Sequence, residues 1–370
     1  MKKNKKVLVA MSGGLDSSVA MALLKKEGYE CIGVYMNLWA DKTIFNSEET
    51  KNFPQNKCCS IESLMIARSV CQSLDAPFYV LDFENDFKDS VVNYFLEGFK
   101  KGETPNPCVE CNKKIKFGLL FKKMEELGCD FLATGHYALI KKDKNGEMHL
   151  YSGKDESKDQ TYFLYNLTQE KLKKVLFPIG KYTKPKVREM ARKLGLKEVA
   201  EKRESQGVCF YPEKTGEEFL KRYLTQKKDY KSGQIQDTNG KIVGEHKGLP
   251  FYTIGQRKGI CIGGGPALYV NKMDHKKNLL YIGDENELFT QTVELKDVNF
   301  LSGELPKTNS PFSAKIRSQG KLSEGKLIKK DKKIYFKFNK PERAIMAGQS
   351  LVLYKGKELV GGGLMVWYNK

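Results

Sequence analysis

A single stretch near the start, KVLVAMSGGLDSSVAMALLKKEG, dictates the local architecture of this chain more than any other. An apolar strand-like run, KVLVAM, leads into Ser12-Gly13-Gly14. A helix follows with Val19, Ala20, Leu23 and Leu24 on one face and a stop at Gly28. A strand, a glycine turn and a helix N-terminus in that order aim backbone N–H groups and the helix dipole at an anion. The turn is neither GxxxxGK[ST] nor GxGxxG. It also carries an acid, Asp16, beside the place an anion would occupy. The plain alternative is an ordinary strand-to-helix turn with Asp16 as an early-turn capping residue.

The pattern downstream keeps alternating. CIGVYM is a second strand, and the polar stretch NLWADKTIFNSEETKNFPQNK has no period and is expected to be mobile. A helix with Leu64, Ala67, Val70, Cys71 and Leu74 on one stripe precedes a third strand, FYVLDF. KKIKFGLLFKKMEELG is a helix grouping Phe117, Leu120, Phe121, Met124 and Leu127, closed by Gly128. DFLATGHY is a fourth strand, and TKPKVREMARKLG a last helix with Thr183 as cap and Pro185 in its first turn. This alternation predicts an α/β fold with a doubly wound parallel sheet and ligands at the strands' carboxyl ends. Beyond about Glu201 the style changes. GLPFYTIGQRKGICIGGG suits a small connecting domain. From about Leu288 short alternating strands begin, with Phe312, Ala314 and Ile316 facing one way and Ser313, Lys315 and Arg317 the other. A small C-terminal antiparallel β-barrel is expected. The domains are placed at 1–205, 206–284 and 285–370.

Lys and Arg number 64 against 45 Asp and Glu, a formal net charge of +19. Such a balance reflects either a lysine-rich surface or a nucleic-acid partner, since Lys and Arg release condensed counterions on meeting phosphates. No run of about eighteen apolar residues is present and MKKNKK leads directly into a strand, so neither a membrane span nor a signal peptide is read. The nine cysteines are irregularly spaced in a chain too large to need disulfide staples, so reduced thiols and a cytoplasmic location are expected. Two stretches present thiols with chemical promise. In GETPNPCVECNKKIKF, Cys108 and Cys111 stand just before a basic helix, and Lys113 and Lys114 favour thiolate. In KRESQGVCFYPE, Cys209 follows Gln206-Gly207, with Lys202 and Arg203 upstream. CVEC is also half of a zinc pattern, which Cys58-Cys59 does not complete. Cys31, Cys71, Cys129 and Cys261 read as buried filler.

SGGLDSS resembles the PP-loop of ATP pyrophosphatases, which cleave ATP between the α and β phosphates and transfer AMP. In that setting Asp16 suits a magnesium site, because a hard cation beside pyrophosphate wants carboxylate oxygen. Ser12, Ser17 and Ser18 would supply hydroxyl donors. Taken together, SGGLDSS, TPNPCVECNKKIKFG, ATGHYA, SKDQTYFLYNL, ESQGVCF and GLPFYTIGQRKGI cover most of the chain and resemble, in order, the tRNA-specific 2-thiouridylase family (MnmA, also called TrmU).

The resemblance implies a tRNA sulfurtransferase acting on the wobble uridine. ATP would adenylate the oxygen on carbon 2, and sulfur carried as a persulfide on Cys209 would displace AMP. Cys111 would assist release, leaving a Cys111–Cys209 disulfide for later reduction. It assigns Ala10, Met11, Ser12, Gly13, Gly14, Leu15, Asp16 and Ser17 to the ATP loop, with Met36 and Gly135 near the nucleotide. Asn106, Pro107 and Cys108 fall beside the target base. His136, Lys158, Asp159, Gln160, Arg317, Ser318 and Gln349 fall at tRNA-facing positions. A cysteine desulfurase or a sulfur relay protein is implied as donor, and a monomer is expected. Many members have aspartate where this chain has Cys108. Three thiolates, Cys108, Cys111 and Cys209, would suffice for three irons of a [4Fe-4S] cluster, so a cluster-borne sulfur stands beside the persulfide route. Two further readings differ in class: a PP-loop ligase or amidotransferase acting on a small molecule, and a non-catalytic RNA-binding protein.

Overall fold

The computed structural model describes residues 5–41, 60–201, 207–211, 216–225, 228–260, 262 and 267–366. Strands β1 (Lys6–Met11), β2 (Glu30–Asn37), β3 (Phe78–Asp82) and β4 (Phe131–Ala133) form a parallel sheet in the order β3-β2-β1-β4. A two-residue strand, Val175–Leu176, extends it beyond β4. Alternation along β1 explains why both faces are covered. Leu8 and Ala10 point into one apolar cluster with Phe87, Ile115 and Leu120. Val7, Val9 and Met11 point into another, with α1 (Leu15–Lys26) and α2 (Ile61–Ser73). The first loop is thereby held at the carboxyl edge of a strand buried on both sides.

A four-stranded mixed sheet follows, from Gly233–Gln236, Ile242–His246, Tyr269–Asp274 and Leu279–Gly283. The last unit is a closed barrel of six antiparallel strands between Phe289 and Val366, shut by pairing of Phe289–Phe300 with Glu358–Val366. Phe312, Ala314 and Ile316 are buried inside it, as the alternation predicts. No helix among the described residues is long and apolar enough to cross a membrane.

Several local expectations need correction. DFLATGHY is a strand only over Phe131–Ala133. The residues that follow build a hairpin, β5 (Ala138–Lys142) and β6 (Met148–Ser152), that pairs with barrel strand Glu358–Val366. The barrel sheet thus recruits strands from the N-terminal half. The helix expected to begin after Cys111 starts at Pro107, because Asn106 accepts from the first-turn N–H groups and Pro107 fits the N1 position. At its far end Leu127 is 43% exposed and leaves the apolar stripe. The polar stretch after Met36 begins as packed structure. Trp39 is buried, and Asp41 is held by Arg222 at 2.7 Å and by the Tyr223 hydroxyl at 2.5 Å. The remainder of that stretch, 42–57, lies outside the described residues.

Candidate active site

At the carboxyl end of β1 the loop is shaped by close backbone packing. Gly13 has φ +66°, and a Cβ there would lie 2.0 Å from the Ser63 carbonyl oxygen. Gly14 is the N-cap of α1 in an extended conformation, with no side chain capping the first turn. Ser12, Gly13, Gly14, Leu15 and Asp16 line a cavity of about 420 Å³. Ser17 and Ser18 turn the other way. Their hydroxyls donate to the Gly14 carbonyl at 3.2 and 2.9 Å, and Ser12 N–H donates to Ser17 Oγ at 3.2 Å. They stitch the loop together, Ser17 Oγ also lying 3.2 Å from Ser12 Oγ, and of the three Ser12 lines the cavity. Ala10 is buried beneath the loop.

Asp16 has partners that the sequence did not announce. Lys184 Nζ lies 2.9 and 2.8 Å from its two carboxylate oxygens, and the Tyr137 hydroxyl donates to Oδ1 at 2.8 Å. Lys184 opens the helix Lys184–Lys193, whose first N–H is bonded by Asp155 Oδ2 at 2.9 Å, while Thr183 makes no side-chain cap. The acid is therefore balanced by an ammonium group in the cavity wall. Among the described residues no three-ligand cluster surrounds Asp16; the one such cluster is Asp143, Glu147 and the half-buried His149. A magnesium ion here would share one carboxylate with phosphate oxygens, a common arrangement for that ion.

The opposite wall carries the thiols. Asn106 Oδ1 accepts from the N–H groups of Cys108 and Val109 at 3.1 and 3.3 Å. Cys108 and Cys111 sit in the first turns of the helical run 107–126, and Asn112 Nδ2 donates to the Cys108 carbonyl at 2.9 Å. Cys209 arrives on the segment 207–211. Its neighbour Phe210 is fully buried among Trp39, Phe87, Phe95 and Phe219, with ring centroids 5.2–6.3 Å apart. Edge-on aromatic packing of this kind contributes roughly 0.5–1.5 kcal/mol per pair beyond burial, and it anchors the thiol's position. Cys108, Cys111, Cys209, Pro107 and Met36 line the same cavity as the glycine loop. Cys31, Cys71 and Cys129 are buried elsewhere, and desolvation pushes Cys31 up to about 11 and Cys71 up to about 12. Cys58, Cys59 and Cys261 lie outside the described residues, as do Lys202, Arg203 and Gln206.

The expected tRNA-facing residues divide into three groups. Lys158 and Gln160 line the cavity, and Gln160 Oε1 accepts from the Tyr137 N–H at 3.0 Å. Asp159 turns inward onto the Thr161 hydroxyl at 2.8 Å and Lys315 at 3.2 Å. His136 is buried between Phe117 and Phe177, with Thr134 Oγ1 at 2.6 Å from Nδ1. Burial, reinforced by Lys116, drives its pKa well below the ordinary imidazole value, so it is neutral at pH 7. In this conformation Asp159 and His136 are both engaged by partners inside the protein. Gly135 lies against the first turn of α1, where a Cβ would be 2.8 Å from the Asp16 backbone carbon; it supports the loop without lining the cavity. Arg317 and Ser318 are half-buried on the barrel, and Arg317 Nη2 donates to the Ala344 carbonyl at 2.8 Å. Gln349 Nε2 donates to the Thr104 carbonyl at 2.7 Å. Among the cavity residues missed by sequence reasoning are Lys116, Tyr137, Lys184 and Phe210. Lys184-Pro185 marks a helix start, but no local signal tells that the lysine reaches back to Asp16.

Comparison with known proteins covers nearly the whole chain. Residues 5–213 match the family model described as tRNA methyl transferase HUP domain, 217–284 the tRNA methyl transferase PRC-barrel domain, and 290–365 the aminomethyltransferase beta-barrel domain. A protein named tRNA-specific 2-thiouridylase MnmA from Clostridium acetobutylicum is 44% identical over 363 residues, covering 98% of this chain and 99% of that one. Its namesake from Carboxydothermus hydrogenoformans is 46% identical over 363 residues, covering 97% of each. Among solved structures, the U34-tRNA thiolase NcsA from Methanococcus maripaludis, with its [4Fe-4S] cluster, overlaps 53% of this chain and 59% of its own at a TM-score of 0.33 and 22% identity.

Proposed function

Because this chain belongs to the tRNA-specific 2-thiouridylase family, a PP-loop ATP-binding group, we propose that it forms 2-thiouridine at the wobble position by bringing ATP, the target base and its thiols into one cavity. The observation that carries the reading is the shared wall: the loop Ser12–Asp16 and the thiols Cys108, Cys111 and Cys209 line the same space. An adenylating enzyme without sulfur chemistry has no use for three thiols facing its nucleotide, which ranks the small-molecule ligase reading lower.

In the proposed sequence the uridine's carbon-2 oxygen attacks the α-phosphate of ATP, pyrophosphate leaves, and N3 gives up its proton. The loop N–H groups and the α1 dipole stabilise the phosphates. Lys184 neutralises Asp16 until the polyphosphate arrives, and Asp16 is the residue that would hold a magnesium ion, which would supply positive charge for the departing pyrophosphate. The terminal sulfur of a persulfide on Cys209 then attacks carbon 2 and expels AMP. Cys111 thiolate attacks Cys209 Sγ, the sulfur–sulfur bond breaks, and its electrons remain with the base, which takes a proton from water at N3 to give the thiocarbonyl. The product disulfide, Cys111–Cys209, is reset by an external thiol reductant, and a cysteine desulfurase or a sulfur relay protein reloads Cys209. Asn106, Pro107 and Cys108 lie beside the base. Lys158, Gln160, Arg317, Ser318 and Gln349 serve tRNA, with phosphate contacts positioning it and a flipped base entering the cavity. Functional boundaries near residues 205 and 284, a monomeric state and a cytoplasmic location complete the reading.

The donor set of Cys108, Cys111 and Cys209 also fits three-thiolate ligation of a [4Fe-4S] cluster, which would supply sulfur at its open iron. Iron and acid-labile sulfide in protein purified without oxygen decide between the routes. The persulfide route predicts metal-free protein that thiolates tRNA from a persulfide donor, with Cys108→Ala retaining activity. Near four irons per chain, lost in Cys108→Ala together with thiolation, replaces it with the cluster.

Arg317→Ala is expected to weaken binding of all tRNA substrates alike and to lower the slope of log K against log salt by about one, the signature of a lost phosphate contact. An unchanged slope leaves Arg317 as an internal anchor of the Ala344 carbonyl.

A further inference from the structure

Gln349 stands at a tRNA-facing position by family resemblance, yet its amide is engaged inside the protein. The barrel and the turn 103–106 are clasped at four points, three of them on the barrel segment 344–349. Thr104 N–H donates to the Ala347 carbonyl at 2.8 Å, and Gln349 Nε2 returns a bond to the Thr104 carbonyl at 2.7 Å. Gly348, at φ +87°, lies so close that a Cβ would be 2.9 Å from Glu103 Cβ and 3.2 Å from Thr104 N. Lys296, on barrel strand Phe289–Phe300, reaches Glu103 at 3.6 Å. Both polar groups of the Thr104 backbone are thus satisfied by the barrel alone. Two residues later Asn106 caps the helix that carries Cys108 and Cys111. On the barrel side the segment is itself fixed: Gly348 N–H donates to the Met365 carbonyl at 3.0 Å, Met365 N–H to the Gln349 carbonyl at 2.8 Å, and Arg317 holds the Ala344 carbonyl.

We propose that Gln349 is a positioning residue for the thiol wall: through Thr104 it fixes the Asn106 turn, and so couples the C-terminal barrel to the place where Cys108 and Cys111 meet the base. A half-buried carbonyl deprived of its donor opens more readily, and the loss of one such bond supports about a fivefold rise in local opening. The inference rests on the thiouridylase reading for its meaning, but its test does not depend on turnover.

The test uses the full chain without tRNA or ATP. Gln349→Leu removes the donor, and Gln349→Glu, of equal size, sets an acceptor against the Thr104 carbonyl. Circular dichroism and the melting curve establish that each is folded, and Gln349→Glu carries the test should Gln349→Leu fail to fold. Alkylation of Cys108 and Cys111, read by mass spectrometry, is expected to accelerate about fivefold, and hydrogen exchange at the Cys108 and Val109 amides to rise in parallel. Alkylation of Cys209, anchored by Phe210, stays as in the parent protein. Unchanged alkylation and exchange with weakened tRNA binding would make Gln349 a tRNA contact and nothing more, overturning the proposal. Acceleration at all three thiols would overturn it too, by showing general loosening. Absence of thiolation in the parent protein would instead count against the functional reading and leave these rates informative.

Discussion

Replacing Cys209 by serine is expected to abolish sulfur transfer, by at least about 10³-fold, while tRNA affinity stays within a factor of about two. The hydroxyl that replaces the thiol cannot carry a persulfide sulfur and is a weak nucleophile at neutral pH. The segment's position does not depend on the sulfur. Cys209 is half-buried, and the register of 207–211 is set by Phe210 inside the ring cluster of Trp39, Phe87, Phe95 and Phe219. A one-atom change at such a site costs about 1 kcal/mol or less of stability. Single-turnover formation of 2-thiouridine, run beside filter binding of the same tRNA, separates chemistry from binding. Pyrophosphate release should persist in the variant, because adenylation precedes the thiol step, while AMP release, which needs attack by the persulfide sulfur, should be lost with thiolation. Joint loss of thiolation and tRNA binding would assign Cys209 a structural role. Phe210→Ala makes a contrasting partner. It removes a fully buried ring, at about 3–5 kcal/mol, and should lower thiolation through displacement of the thiol, with a fall in melting temperature that Cys209→Ser does not show.

The parts of the fold legible in the sequence are those with long, regular patterns on both sides of a glycine. β1 and α1 follow from KVLVAM, Ser12–Gly14 and the stripe through Val19, Leu23 and Leu24. The barrel follows from alternation through Phe312, Ala314 and Ile316. Short elements were lost for want of a period: Val175–Leu176 has two residues, too few to alternate. The β5–β6 hairpin, which starts just after DFLATGHY, has no counterpart in the sequence reading, and its partner strand, Glu358–Val366, is distant in the chain. The same divide governs the site. Thiols and loop residues could be named because their neighbours in sequence are their neighbours in space. Lys184 and Tyr137 could not, since they meet Asp16 across 168 and 121 residues. Asp159, His136 and Gln349 carry polar side chains that suggest an outward role, and in this structure each also has an internal partner: Lys315, Thr134 and Thr104 respectively. Polarity identifies a side chain that needs a partner, and only the fold determines whether that partner is protein or ligand.

Asp16 is the residue whose removal should reach furthest into the ATP half-reaction. In Asp16→Asn the ammonium of Lys184 loses an ion pair made at 2.8 and 2.9 Å to both carboxylate oxygens, and the Tyr137 hydroxyl keeps an acceptor. Two consequences of opposite sign follow in the cavity. An unbalanced Lys184 beside the glycine loop strengthens attraction for the polyphosphate, so ATP binding without magnesium should hold or tighten. The carboxylate oxygen that a magnesium ion needs is gone, so charge developing on the departing pyrophosphate is poorly neutralised and tRNA-dependent AMP formation should fall about 10²–10³-fold. That split, with KM for ATP little changed and kcat collapsed, distinguishes a metal-binding acid from a capping residue, whose loss would lower stability by about 1 kcal/mol and leave turnover near that of the parent protein. Lys184→Met tests the pair from the other side. It leaves Asp16 facing the phosphates without its counter-charge, so KM for ATP should rise at least about tenfold, and the double variant should bind ATP better than Lys184→Met does, since like-charge repulsion has been removed. Parental thiolation by Asp16→Ala would instead remove Asp16 from the catalytic machinery and leave it as a structural partner of Lys184 and Tyr137.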